Sequence, residues 1–190
     1  MAEAAILLLA GGHARRFPGK LERAIDGEAM IVRVYRALRA APWPLYVAAN
    51  GSFSPDVDAR LDAPFLIDRR PDRGPLGAIA SACSAIGVAR IFAVAADQPR
   101  LDARVLERLL AAWRPGDEAV VPEHDGRIEP LAALYARSAV LREAFALLRG
   151  GNASMHRLIE RMAARFLPMD GAQFKNVNRP TDLLQEASPA

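Results

Sequence analysis

The sequence predicts an α/β fold, a mostly parallel open sheet with helices on both faces and a small β excursion late in the chain. Three observations lead there. Short runs that are apolar at nearly every position recur along the chain, as expected of strands covered on both faces. Helix-period segments lie between them, and repeated strand–helix alternation builds a parallel sheet. The length of 190 residues suits one domain, 1–190, large enough to bury a real core.

The first strand candidate is Ala5–Ala10. No basic leader precedes it and it is too short to span a bilayer, so a buried strand is expected here, not a signal or an anchor. Leu45–Ala49, Pro64–Ile67, Ile91–Ala95 and Ala119–Val121 repeat the pattern. Ile31, Val34, Tyr35 and Leu38 follow the i, i+3, i+4, i+7 spacing of an amphipathic helix. Val105, Leu106, Leu109, Leu110 and Trp113 form one face of another, with Asp102 as its N-cap. Asp125-Gly126 is a hairpin turn signal, and the run Ile128–Tyr135 after it supplies the β excursion. Helices are expected over Ser138–Leu148 and Asn152–Ala164, and the tail after Asp182 reads as a fraying polar end.

Composition narrows the class. With 52% apolar and 25% charged residues the chain is an ordinary globular protein, not a disordered one. A net charge of +3 tolerates a polyanionic ligand but does not point to nucleic acid, and none is expected as a partner. Cys83 is the single cysteine, which allows no internal disulfide; in a small-residue stretch it reads as core, and a reducing, cytoplasmic setting is expected. The basic residues are almost all arginine, with lysine only at Lys20 and Lys175.

The densest chemistry follows the first strand, in Leu9-Ala10-Gly11-Gly12-His13-Ala14-Arg15-Arg16-Phe17-Pro18-Gly19-Lys20. Two glycines at a strand end let the backbone turn sharply and aim amide groups at phosphate oxygens. Arg15, Arg16 and Lys20 supply cations for a triphosphate. The loop is not a Walker loop: six residues separate Gly12 from Gly19-Lys20, and Leu21 stands where a magnesium-binding hydroxyl would be. It also lacks G-x-G-x-x-G, which disfavours a dinucleotide enzyme.

Three further motifs follow in order. Asp68 lies upstream of Gly74-Pro75-Leu76-Gly77, an apolar strand ends in Ala96-Asp97-Gln98-Pro99, and the chain closes on Asn176-Val177-Asn178-Arg179-Pro180-Thr181-Asp182. With the L-A-G-G start and its downstream lysine, this set resembles the molybdenum cofactor guanylyltransferases, within the wider family of NTP-transferase α/β domains, over nearly the whole chain. Gly19 stands where that family often has an aspartate, Ala96 where it has a cysteine, and Gln98 where guanylyl enzymes have a threonine. Gly12 is closer to the guanylyl than to the cytidylyl members.

The resemblance implies a Rossmann-like nucleotidyltransferase fold. It implies magnesium-dependent transfer of GMP from GTP to the terminal phosphate of a molybdopterin acceptor, with a molybdoenzyme or chaperone as a possible receiving partner. A cytidylyl- or sugar-phosphate nucleotidyltransferase and a non-catalytic nucleotide-binding cofactor chaperone are the alternatives. Leu9, Ala10, Gly11, Gly12, Lys20, Asn50, Asp68, Gly74 and Asp97 are the expected nucleotide contacts. Lys20 and Arg16 would neutralise the departing pyrophosphate, and Asp97 with Asn178 would hold magnesium. A carboxylate ending an all-apolar strand is costly unless it meets water or a cation. Asn50 could equally be an Asn-Gly turn former, Asp68 a partner of Arg69 or Arg70, and Asn178 a turn former before Pro180. His13, His124 and His156 show no metal spacing and are read as bystanders.

Overall fold

A computed structural model of the chain describes residues 3–11, 17, 19–67 and 73–186. In chain order the elements are β1 (Ala4–Leu9), β2 (Ala24–Ile25), β3 (Glu28–Ala29), α1 (Met30–Leu38), β4 (Leu45–Ala49), α2 (Pro55–Asp58), β5 (Phe65–Ile67), α3 (Gly74–Ala85), β6 (Arg90–Ala95), α4 (Ala103–Ala112), β7 (Ala119–His124), β8 (Arg127–Ile128), β9 (Ala132–Ala136), α5 (Arg137–Arg149), α6 (Met155–Ile159), β10 (Ala164–Pro168) and α7 (Pro180–Glu186).

The main sheet runs β10-β7-β9-β6-β1-β4-β5, with β8 paired to β7. Its β6-β1-β4-β5 half is parallel, as is β10 on β7, while β9 runs against both neighbours. The mostly parallel α/β sheet is therefore as expected, with the reversed strand in the stretch read as a β excursion. Alternation along β1 separates the two layers. Ile6 and Leu8 face α1 and α4 through Ile31, Val34, Leu38, Val105 and Leu109. Ala5 and Leu7 face α3, α5 and α6 through Ile79, Cys83, Val140 and Leu158. Burial pushes the Cys83 thiol up to about 12, which keeps it protonated and inert.

Local chemistry explains the element ends. Asp102 caps α4, accepting from the Arg104 and Val105 amides, as its position predicts. Asp125 and Gly126, at φ 49° and 71°, make the primed turn of the β7–β8 hairpin. Asp26-Gly27 does the same between β2 and β3, a turn not expected from the sequence.

Two expectations fail. Only Met155–Ile159 of the helix expected over Asn152–Ala164 forms; Ala164–Pro168 instead adds a parallel edge strand to β7. The Arg165 guanidinium is held on both oxygens of Asp117, at 2.8 and 3.0 Å, a long-range tie that outweighs local helix preference. The tail does not fray at Asp182, because α7 continues to Glu186, whose carboxylate takes Arg100 at 2.7 Å. No helix among the described residues is long and apolar enough to cross a membrane.

A third apolar cluster, Phe17, Ile25, Met30 and Val177, lies apart from the two main layers, with Leu21 and Leu183 packed against it. It joins the segment after β1 to the segment before α7. Met30 is fully buried there. Met30→Ala is expected to cost about 2–5 kcal/mol, read as a lower urea midpoint at unchanged slope.

Candidate active site

Leu9 in β1 is in register with Ala48 in β4 and with Ala95 in β6. Three adjacent parallel strands thus end at one level and form a single rim, the place where open α/β sheets take ligands. Beyond that rim the chain passes Gly19, in the left-handed region at φ 66°, and enters a 3₁₀ turn at Lys20–Glu22.

Lys20 is where distant parts of the chain meet. Its Nζ donates to Asp97 Oδ2 at 2.5 Å, to the Val177 carbonyl at 3.2 Å and to Asn178 Oδ1 at 3.2 Å. An ammonium has three donors, and each has an oxygen here. The Lys20 and Asp97 side chains are only 16% and 21% exposed, so the pair is screened less than a surface one. Asp97 lies two residues past the buried end of β6 at Ala95, and the Val177 amide donates to its carbonyl at 2.9 Å. The two oxygen-bearing segments are thereby stitched together.

The loop that carries Asn178 is shaped by Asp182. One carboxylate oxygen accepts from the Asn178 and Arg179 amides, both at 2.8 Å. Those two amides hold the Asp182 carboxyl below its usual range.

Asn50, beyond the end of β4, lies against Gly11, where a Cβ would sit 2.8 Å from Asn50 Oδ1. The first turn and the β4 end are therefore in contact only because position 11 has no side chain. The Leu9 carbonyl and the Ala10 amide are engaged with Ala96 and Ala48, so both residues floor the rim. Gly74, at φ 60°, begins α3, and Arg73 beside it donates to the Leu148 carbonyl at the end of α5. Gly12, Arg16 and Asp68 lie outside the described residues.

Sequence reading missed Val177, whose contribution is a carbonyl that no side-chain motif records. It also missed the role of Asp182, although that residue stood inside the quoted motif. His124, read as a bystander, is engaged: Nε2 lies 2.9 Å from Glu129 Oε1, an interaction that raises the imidazole above its usual value. Among the described residues no group of three or more His, Cys, Asp or Glu is arranged to hold a metal ion. A separate cleft of about 650 Å³ beside the β2–β3 hairpin is lined by Arg33, Arg36 and Arg60, but Asp26 and Glu28 already pair with these guanidiniums.

The mixed α/β sheet brings an ammonium and a carboxylate together at its carboxyl rim, and the proteins this chain is similar to are nucleotidyltransferases. Residues 6–166 match the MobA-like NTP transferase domain, and the chain belongs to that family. It is similar to proteins named "probable molybdenum cofactor guanylyltransferase" in Chloroflexus aggregans, 32% identical over 74% of this chain and 70% of the relative, and in Mycobacterium avium, 30% identical over 93% and 91%. The crystal structure of molybdopterin-guanine dinucleotide biosynthesis protein A from Archaeoglobus fulgidus superposes with a TM-score of 0.80 at 26% identity, covering 96% of both chains.

The Asp182 contacts set a pH dependence. A depressed carboxylate contributes stability that is present above the ordinary carboxylate range and lost as pH falls through the depressed folded value. Wild type is expected to be more stable than Asp182→Asn at neutral pH, with the difference shrinking below about pH 4. Melting temperatures measured from pH 7 to pH 3 check this; a gap that stays constant counts against it.

Proposed function

We propose that this nucleotidyltransferase moves GMP from GTP to the terminal phosphate of molybdopterin, releases pyrophosphate, and uses magnesium as its cation. One observation carries the reading: Lys20, Asp97 and Asn178, separated by up to 158 residues, meet at a single point on the carboxyl rim. The names of the relatives in Chloroflexus aggregans and Mycobacterium avium supply the base and the acceptor. Residues 1–190 act as one catalytic unit in this reading, in the cytoplasm, where a lone buried thiol is at home.

The donor set fits magnesium. A carboxylate, a side-chain amide oxygen and a backbone carbonyl gather around one cationic atom, and magnesium takes one or two protein oxygens and the rest from phosphate and water. Asp97 and Asn178 would hold it. When bound, the ion neutralises charge on the triphosphate and fixes its geometry. The acceptor phosphate is already ionised at neutral pH, so no residue has to act as general base. One of its oxygens forms the bond to the α-phosphorus of GTP, the bond from that phosphorus to the α–β bridging oxygen breaks, and the electron pair leaves with pyrophosphate. Lys20 stabilises that leaving charge, and Arg16 shares it. Gly11, Asn50 and Gly74 contact the nucleotide in this reading, and Gly12 and Asp68, outside the described residues, are expected to join them. The acceptor lies over the segment Arg127–Tyr135 and the Gly74 loop.

Incubation with each of the four nucleoside triphosphates, magnesium and molybdopterin, read as pyrophosphate release, tests the proposal. Release with GTP that requires molybdopterin is expected; equal release with CTP overturns the base assignment, and tight GTP binding without product overturns the enzyme. Asp97→Ala is expected to lower turnover by at least about 10²-fold, and near-normal turnover defeats its role. Lys20→Arg is expected to recover only part of the rate, because a planar fork cannot replace a point charge that donates in three directions.

A further inference from the structure

Behind the Lys20 contacts lies a polar chain that the transfer reaction does not use. Gln98, next to Asp97, is 1% exposed. Its Nε2 donates to Glu129 Oε2 at 3.3 Å and to the Phe174 carbonyl at 3.4 Å. Glu129 Oε1 in turn meets His124 Nε2 at 2.9 Å. The His124 ring stacks on Phe174, with centroids 5.6 Å apart and planes 11° apart. It is packed so closely that a Cβ at Gly171 would lie 2.5 Å from Nδ1.

These contacts join the right segments. Gln98 sits on the corner that presents the Asp97 carboxylate. Phe174 sits on the strand of chain that, three and four residues later, presents the Val177 carbonyl and Asn178 Oδ1. One side-chain amide therefore braces both segments whose oxygens converge on Lys20, and Glu129 with His124 holds that amide from the β7–β9 side. Among the described residues Gln98 Oε1 is buried without a hydrogen-bond partner, so what the side chain contributes here comes through its Nε2 donor, which Glu129 and the Phe174 carbonyl share.

We propose that Gln98, Glu129 and His124 are positioning residues that fix the spacing of Asp97 and Asn178, and so tune the affinity of the site for its divalent cation. The proposal rests on the metal reading given above, and it concerns residues that touch neither substrate nor ion. Losing an outer partner that orients a donor group commonly lowers metal affinity or activity by about 10- to 100-fold.

The test needs no acceptor and no turnover. Mn²⁺ is titrated into each protein with GTP equimolar to protein, free Mn²⁺ is read by paramagnetic resonance, and a parallel titration of GTP alone is subtracted, for wild type, Glu129→Gln, His124→Phe and His124→Gln. His124→Phe keeps the stack on Phe174 and removes the nitrogen that Glu129 meets; His124→Gln restores a donor. Glu129→Gln and His124→Phe are expected to raise the Mn²⁺ dissociation constant about 3- to 30-fold, while His124→Gln recovers most of the loss. The ligand-free His124→Phe protein should melt within about 4 °C of wild type.

Unchanged Mn²⁺ affinity in both Glu129→Gln and His124→Phe overturns the brace, as does an equal loss in His124→Phe and His124→Gln. If Glu129→Gln does not fold, the two His124 variants decide alone. The transfer reaction is judged separately: wild type that binds Mn²⁺ with GTP but makes no product with molybdopterin sinks the reaction and leaves the brace standing. Wild type that binds no Mn²⁺ with GTP sinks both.

Discussion

An ammonium held by three oxygens is the constraint on which the rest of this site depends. Lys20 sits in a short 3₁₀ turn with little structure of its own, and its position is set by what it touches. Asp97 comes from the centre of the sheet, Val177 and Asn178 from the last tenth of the chain. A partly buried cation and carboxylate are tolerable only when both find partners, so the pairing forces three otherwise independent segments into one arrangement.

The fold makes that arrangement possible through two unequal devices. The large one is the sheet, whose β4, β1 and β6 strands end in register and deliver Asn50, Gly11 and Asp97 to a common rim. Regular backbone pairing sets these heights, and loop sequence has little influence on them. The small one is the apolar knot of Phe17, Ile25, Met30 and Val177. It anchors Phe17 and the β2–α1 segment, which flank Lys20, to the C-terminal loop at Val177. Asp182 then tightens that loop from inside with two charge-assisted backbone bonds.

Polar partners and apolar packing divide the work along the β6 corner. Asp97 faces the rim while Gln98, one residue on, is buried and turns toward Glu129 and Phe174. The turn after β6 thus puts a partly exposed carboxylate and a buried amide on consecutive residues. The same corner is anchored from below, where the Ala96 amide bonds to the Leu9 carbonyl.

Much of this was legible in the residues themselves. The buried strands were recognisable because a strand covered on both faces must be apolar throughout, and the Asp102 cap and Asp125-Gly126 turn because they answer to local backbone chemistry. Lys20, Asp97 and Asn178 stood out by charge, position and motif. Tertiary structure alone decided what is long-range: the edge strand Ala164–Pro168, which exists because β7 offers it a ladder and Asp117 holds Arg165; the continuation of α7, secured by Arg100 on Glu186; and the engagement of His124. The sequence by itself determined which groups were available, since side-chain chemistry and local turn preference are properties of neighbouring residues. Which of those groups meet, and which backbone carbonyl joins them, was decided by packing between segments far apart in the chain, and no local pattern encodes that distance.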